Sequence, residues 1–209
     1  MARRKREPKG LLALILAALV AANSMIIISR LGRGKPLPGE GVELPEYVTK
    51  DYIVKNSYSR PGTPLTEING VVIHYVGNPG SSARANRNYF NNLALTHETY
   101  ASSHFIVGLE GEVIACVPLT EMAYASNERN GDTVAIEVCH PDAEGEYSDV
   151  TYERVAELAA WLCETFDLDP AEAVIRHYDV TGKICPKFYV ENPAAWETLK
   201  ADIAAEMGE

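Results

Sequence analysis

The chain has 209 residues, 46% of them hydrophobic, and a formal net charge of −10 at pH 7, which suits one domain with appendages. The charge is segregated: residues 1–35 carry eight Lys/Arg and one Glu, residues 36–209 eleven Lys/Arg and twenty-eight Asp/Glu. So acidic a body offers no basic face to a phosphate backbone and excludes nucleic acid as its partner.

The leader comes first. Arg3-Arg4-Lys5-Arg6 precedes an uncharged apolar run at 10–29, long enough to span a bilayer as a helix. The excess of positive charge before the run predicts a cytoplasmic N-terminus and a body outside the membrane. A cleaved signal peptide is the rival reading, with residues 11–20 as its apolar region and Val20-Ala21-Ala22 as its small-residue site. Met25-Ile26-Ile27-Ile28 continues the apolar run past that site, which favours an uncleaved anchor over residues 1–30. Under either reading the body is exported, held on the outer face of the cytoplasmic membrane or secreted. Gly32, Gly34, Pro36, Pro38, Gly39, Gly41 and Pro45 make residues 31–50 read as a tether. The folded domain is expected over 51–209.

Within it, Val71-Val72-Ile73-His74-Tyr75-Val76 is a nearly continuous apolar, β-branched run, as expected of a strand buried on both faces. Ser81 or Ser82 is placed to cap a helix running to about Leu95. Residues 103–107 and 112–117 flank Gly108-Leu109-Glu110-Gly111, a hairpin signal. Residues 133–139 alternate like another strand. Val155, Leu158, Ala159, Leu162 and Phe166 fall on one face of a helix from Thr151. Asn192-Pro193 reads as the cap and first position of a last helix carrying Trp196, Leu199 and Ile203. The intermixed elements predict an α/β fold with a mixed central β-sheet flanked by helices. Cys116, Cys139 and Cys163 lie in apolar patterns and read as buried small hydrophobes; a Cys116–Cys139 bridge stays open in an exported protein.

The densest chemistry lies in Arg176-His177-Tyr178-Asp179-Val180-Thr181-Gly182-Lys183-Ile184-Cys185-Pro186. Imidazole and thiolate are preferred ligands of Zn2+, and His74, on its rigid strand, supplies a third. Three protein ligands leave a fourth position for water, as in catalytic zinc sites. Each residue also has a plainer reading: a core histidine satisfied by a carbonyl for His74 or His177, a buried thiol for Cys185. Lys183 has no use in a structural zinc site but suits a developing oxyanion. Glu137, a carboxylate inside the apolar Val134-Ala135-Ile136-Glu137-Val138-Cys139, suits a general base beside an activated water; its plainer reading is a buried ion pair. Asp179 reads as a turn residue before a histidine-orienting group.

The strings Ile73-His74-Tyr75-Val76-Gly77-Asn78-Pro79-Gly80, Ala101-Ser102-Ser103-His104-Phe105-Ile106-Val107-Gly108, Arg176-His177-Tyr178-Asp179 and Lys183-Ile184-Cys185-Pro186 together resemble the type-2 N-acetylmuramoyl-L-alanine amidase family, which includes the peptidoglycan-recognition proteins. Asn86-Arg87-Asn88-Tyr89-Phe90 and Cys139-His140-Pro141-Asp142 resemble its clostridial-type endolysin and autolysin members. The resemblance runs from about Tyr52 to Ile203. It implies a peptidoglycan-recognition-protein-like fold and a peptidoglycan substrate. It further implies zinc held by His74, His177 and Cys185, an oxyanion partner in Lys183, and a base in Glu137. Asn78, Ser103 and His104 become candidate substrate contacts, with packing in the sheet as the other reading of His104, and a monomer is expected. Two departures stand out: Ser103 replaces a tyrosine that some relatives use, and Ala123-Tyr124-Ala125-Ser126-Asn127 replaces Ala-Trp-His-Ala-Gly. A binding module that grips peptidoglycan without cutting it is the rival function.

Overall fold

Six strands form one sheet in the order β1-β4-β3-β5-β2-β6: β1 (Val48–Lys50), β2 (Val71–Tyr75), β3 (Phe105–Val107), β4 (Val113–Ala115), β5 (Val134–Val138) and β6 (Val174–Arg176). The computed structural model describes residues 36–208. Only the β3–β4 hairpin pairs antiparallel; β1–β4, β3–β5, β5–β2 and β2–β6 are parallel. The helices are α1 (Ala83–Thr96), α2 (Asp149–Phe166), α3 (Pro170–Ala173), α4 (His177–Thr181), α5 (Lys187–Glu191) and α6 (Pro193–Glu206). The expected mixed sheet flanked by helices is present.

Alternation along the strands divides the core. Val71, Ile73, Phe105, Val107, Val134, Ile136 and Val138 join Val155, Leu158 and Leu162 of α2 and Trp196, Leu199 and Ile203 of α6 in the larger cluster. Ile106, Ile114, Cys116 and Cys139 meet Ala83, Phe90 and Leu93 of α1 in the smaller one. Each fully buried Leu or Ile here contributes roughly 1.5–3 kcal/mol. Ser82 caps α1, its Oγ accepting from the Ala85 N–H. Asn192 precedes α6 with Pro193 as its first residue, but its side chain makes no cap. Nδ2 donates instead to the Phe188 carbonyl, where α5 ends.

The folded unit starts earlier than the breaker-rich composition predicts, at Leu37. Val42, Leu44 and Tyr47 pack against the larger cluster, and β1 pairs with β4 inside the span expected to be a tether. Gly39 (φ 72°) and Gly41 (φ 81°) fold that segment into a turn, the left-handed conformation that glycine adopts without strain. The leader at residues 1–30 lies outside the described residues. No helix among those described is long and apolar enough to cross a membrane. All four cysteines are free thiols.

Candidate active site

The parallel strands β2, β5 and β6 end on the same edge of the sheet, and the carboxyl ends of parallel strands are where such sheets place their sites. His74 is the fourth residue of β2 and pairs in register with Glu137, the fourth of β5. Ile73 pairs with Arg176 at the end of β6, so His177 follows directly at the same level. The rings of His74 and His177 lie 4.6 Å apart, centre to centre. Gly182, at φ 77°, ends α4 and reverses the chain. The Tyr178 N–H then donates to the Cys185 carbonyl at 2.9 Å. That hydrogen bond returns Cys185 to the strand ends, its Sγ 3.9 Å from Nδ1 of His74. Residues more than a hundred positions apart thus offer three ligand atoms within 4.8 Å of one another. They open into a cleft of about 700 Å³ that Glu137 and Lys183 also line.

The electrostatics of the cleft leave its ligand atoms able to take a cation. Burial, then the nearby charges of His177 and Lys183, pushes His74 well below the ordinary imidazole range. Burial and Lys183 push His177 down as well. Both rings are therefore neutral, as ligands must be. Burial and the Glu137 charge push the Cys185 thiol up to about 12; a bound cation reverses that by holding the thiolate. Burial raises Glu137 to about 8 against the pull of Lys183. Nδ1 of His177 and Oε2 of Glu137 are buried without hydrogen-bond partners, a costly arrangement unless something in the cleft engages them. Two imidazoles, one of them with an orphaned ring nitrogen, and one thiol fit a zinc-type ion.

Residues 64–188, a span that includes every one of these side chains, match the family model described as N-acetylmuramoyl-L-alanine amidase. The chain belongs to that amidase family. It is 33% identical over 179 residues to the N-acetylmuramoyl-L-alanine amidase BlyA of Bacillus subtilis (strain 168), covering 76% of this chain and 47% of that protein. The N-acetylmuramoyl-L-alanine amidase CwlL of Bacillus licheniformis is 32% identical over 174 residues, with 77% and 48% covered. The chain spans about half the length of these curated relatives. Among solved structures, the catalytic domain of XlyA matches with a TM-score of 0.63 at 25% identity, covering 75% of this chain and 98% of that one. The PlyG catalytic domain, at 17% identity, shares the fold with a TM-score of 0.65, covering 76% of this chain and 94% of that one.

In this amidase-family chain two of the three candidate substrate contacts, Ser103 and His104, are buried outside the cleft. His104 is buried away from the cleft, with both ring nitrogens engaged by backbone. Its Nε2 donates to the Glu121 carbonyl at 2.9 Å, and Nδ1 accepts from the Ala135 N–H at 3.0 Å. Ser103 is buried too, its hydroxyl shared between the carbonyls of Phe105 and Ala135. Both residues tie β3 to β5. Asn78 stands on an exposed turn beyond Gly77, its carbonyl accepting from the Ser81 hydroxyl at 2.7 Å. Asp179 is a turn residue: it accepts from the Arg176 N–H at 2.8 Å and from the Arg176 guanidinium.

Residues to which the sequence analysis gave no role line the cleft or stand behind its histidines. Tyr100 and Tyr124 form an aromatic edge on one wall, ring centres 5.6 Å apart. Ser126 Oγ lies 3.2 Å from Nε2 of His74, and Asn127 Oδ1 3.3 Å from Nε2 of His177. Tyr147 donates its hydroxyl to the His74 carbonyl at 3.1 Å. The signal for Ser126-Asn127 was the departure from the family string at that point. Tyr147 left none, because a tyrosine that braces a strand beneath a site and one that only fills the core look alike in sequence.

Proposed function

We propose that this chain hydrolyses the amide joining the lactyl group of N-acetylmuramic acid to L-alanine in peptidoglycan, as a zinc-dependent amidase. The observation that carries the reading is the convergence of His74, His177 and Cys185 with Glu137 and Lys183 in one cleft, inside a span that matches an amidase family. His74, His177 and Cys185 would hold the metal, which when bound supplies Lewis acidity and a water acidic enough to react near neutral pH. Glu137 Oε2, the orphaned carboxylate oxygen, accepts the proton of the attacking water. The same carboxyl then returns that proton to the departing alanine amine. Burial raises this carboxyl to about 8 in the metal-free site; the charge of a bound cation would favour its ionised form, ready to accept, while burial favours keeping the proton until the amine leaves. The Lys183 ammonium sits where negative charge develops on the lactyl oxygen. Tyr100 and Tyr124 present flat apolar faces with polar edges, suited to a sugar-peptide junction.

The leader supports the accompanying reading of place. The domain acts as a monomer outside the cytoplasmic membrane, anchored to it, or in the wall if the leader is cleaved. Mass spectrometry of peptidoglycan digested with the full chain tests the activity. A new L-alanine amino terminus on the released peptides is expected. Unchanged muropeptides, with the protein still retained on the wall, would overturn catalysis in favour of binding alone.

A further inference from the structure

We propose that Ser126 and Asn127 are positioning residues that lock both cleft histidines in the tautomer presenting Nδ1 to the metal, and so set the site's affinity for zinc. The inference rests on the metal reading above.

Asparagine Oδ1 can only accept a hydrogen bond. At 3.3 Å from His177 Nε2, it requires the proton on Nε2. In a neutral ring the lone pair then falls on Nδ1, the atom that is buried without a partner. Ser126 stands at the same place on the other ring, 3.2 Å from His74 Nε2; its hydroxyl can donate or accept, and it accepts from Nε2–H when His74 Nδ1 carries the lone pair toward Cys185. The opposite nitrogen, Nδ1, faces Cys185 Sγ. Two consecutive residues therefore hold the outer nitrogens of both rings and leave the inner nitrogens turned to the thiol and the cleft. Outer partners of this kind fix ring orientation and raise ligand basicity, and losing one typically weakens metal binding ten- to a hundredfold.

The loop is braced for such work. Asn130 Oδ1 accepts from the N–H groups of Ala125 (3.0 Å) and Ser126 (2.6 Å). The Arg129 N–H donates to the Ser126 carbonyl at 2.9 Å, and the Arg129 guanidinium grips Asp132. Asn127 itself sits at φ 51°, a left-handed conformation that asparagine tolerates and glycine prefers. Asn127→Gly therefore removes the acceptor while leaving the backbone at ease.

The test uses the full chain and Zn2+ alone, with affinity read by competition against a chromophoric chelator. Ser126→Ala and Asn127→Gly should each weaken zinc binding about ten- to a hundredfold, with the thermal midpoint of metal-free Asn127→Gly unchanged and that of Ser126→Ala lowered by the partner His74 loses. Asn127→Asp and Ser126→Thr, which keep an acceptor, should restore it. Long-range 15N–1H spectra of the zinc-loaded wild type should show both rings protonated at Nε2, with those protons lost to solvent exchange in the two truncations. Wild-type affinity in both truncations, or metal on Nε2, overturns the positioning role while Cys185→Ser still abolishes binding. Failure of the wild type to bind zinc, or wild-type binding by Cys185→Ser, overturns the metal reading itself and the inference with it.

Discussion

On one face of the sheet Ile73, Ile136 and Val138 are wholly buried against Val155, Leu158, Leu162 and Leu199. On the other face, one residue along in the same strands, stand His74 and Glu137. Side chains alternate with period two, so a single strand serves both the core and the cleft without compromise. The apolar face is satisfied within the protein. The polar face is not: Glu137 Oε2 and His177 Nδ1 lack partners. What the contrast teaches is that stability and chemistry are carried by neighbouring residues of the same strands yet are separable by substitution.

The sharpest way to break this contrast is at Glu137. Glu137→Gln should lower kcat about 10²- to 10⁴-fold while zinc content stays unchanged. The thermal midpoint of the metal-free protein should hold, because burial keeps Glu137 protonated there and a neutral amide of the same shape replaces a neutral carboxyl. Near-normal turnover would show that the proton moves through another group. On the opposite face, Leu158→Ala should cost about 2–5 kcal/mol in denaturant unfolding, with zinc affinity and kcat of the folded fraction unchanged. Loss of metal binding in that variant would mean the two faces are coupled.

A smaller effect separates two histidines. His74 faces the cleft, whereas burial holds His104 down to about 4, against the opposing pull of the Glu121 carbonyl and charge. Protonating it would set a ring N–H against the Ala135 N–H that Nδ1 now accepts. The sign follows. Between pH 4 and 6.5 the unfolded chain binds a proton at this histidine and the folded one does not, so its contribution falls as pH drops through that window. The loss is about 3 kcal/mol and complete near pH 4. The difference in unfolding free energy between pH 7 and pH 4 should be smaller by about that amount in metal-free His104→Gln than in metal-free wild type. An equal pH dependence in the two would mean that His104 titrates normally in the fold.

How much was legible follows the same division. β2, β5 and α2 were readable from their apolar patterns, and α1 from the serine that caps it. β1 and β6 were not: they are three-residue edge strands, too short to show a period, and β1 lies in a segment whose glycines and prolines read as flexible. The side chains that converge in the cleft were legible because His, Cys, Lys and Glu are conspicuous in apolar or turn-rich surroundings. Ser103 and His104 were equally conspicuous, yet the strand pairing consumes their polar atoms.

By itself, the sequence determined the alternating strands, the amphipathic helix and the set of side chains able to hold a metal and move a proton, since these depend on residue type and local spacing. Only the tertiary structure decided which histidine faces the cleft and which faces a carbonyl, and that Ser126 and Asn127 stand behind the two that do. Those outcomes depend on strand register and on a loop packing across fifty residues of chain, and neither is encoded in any local pattern.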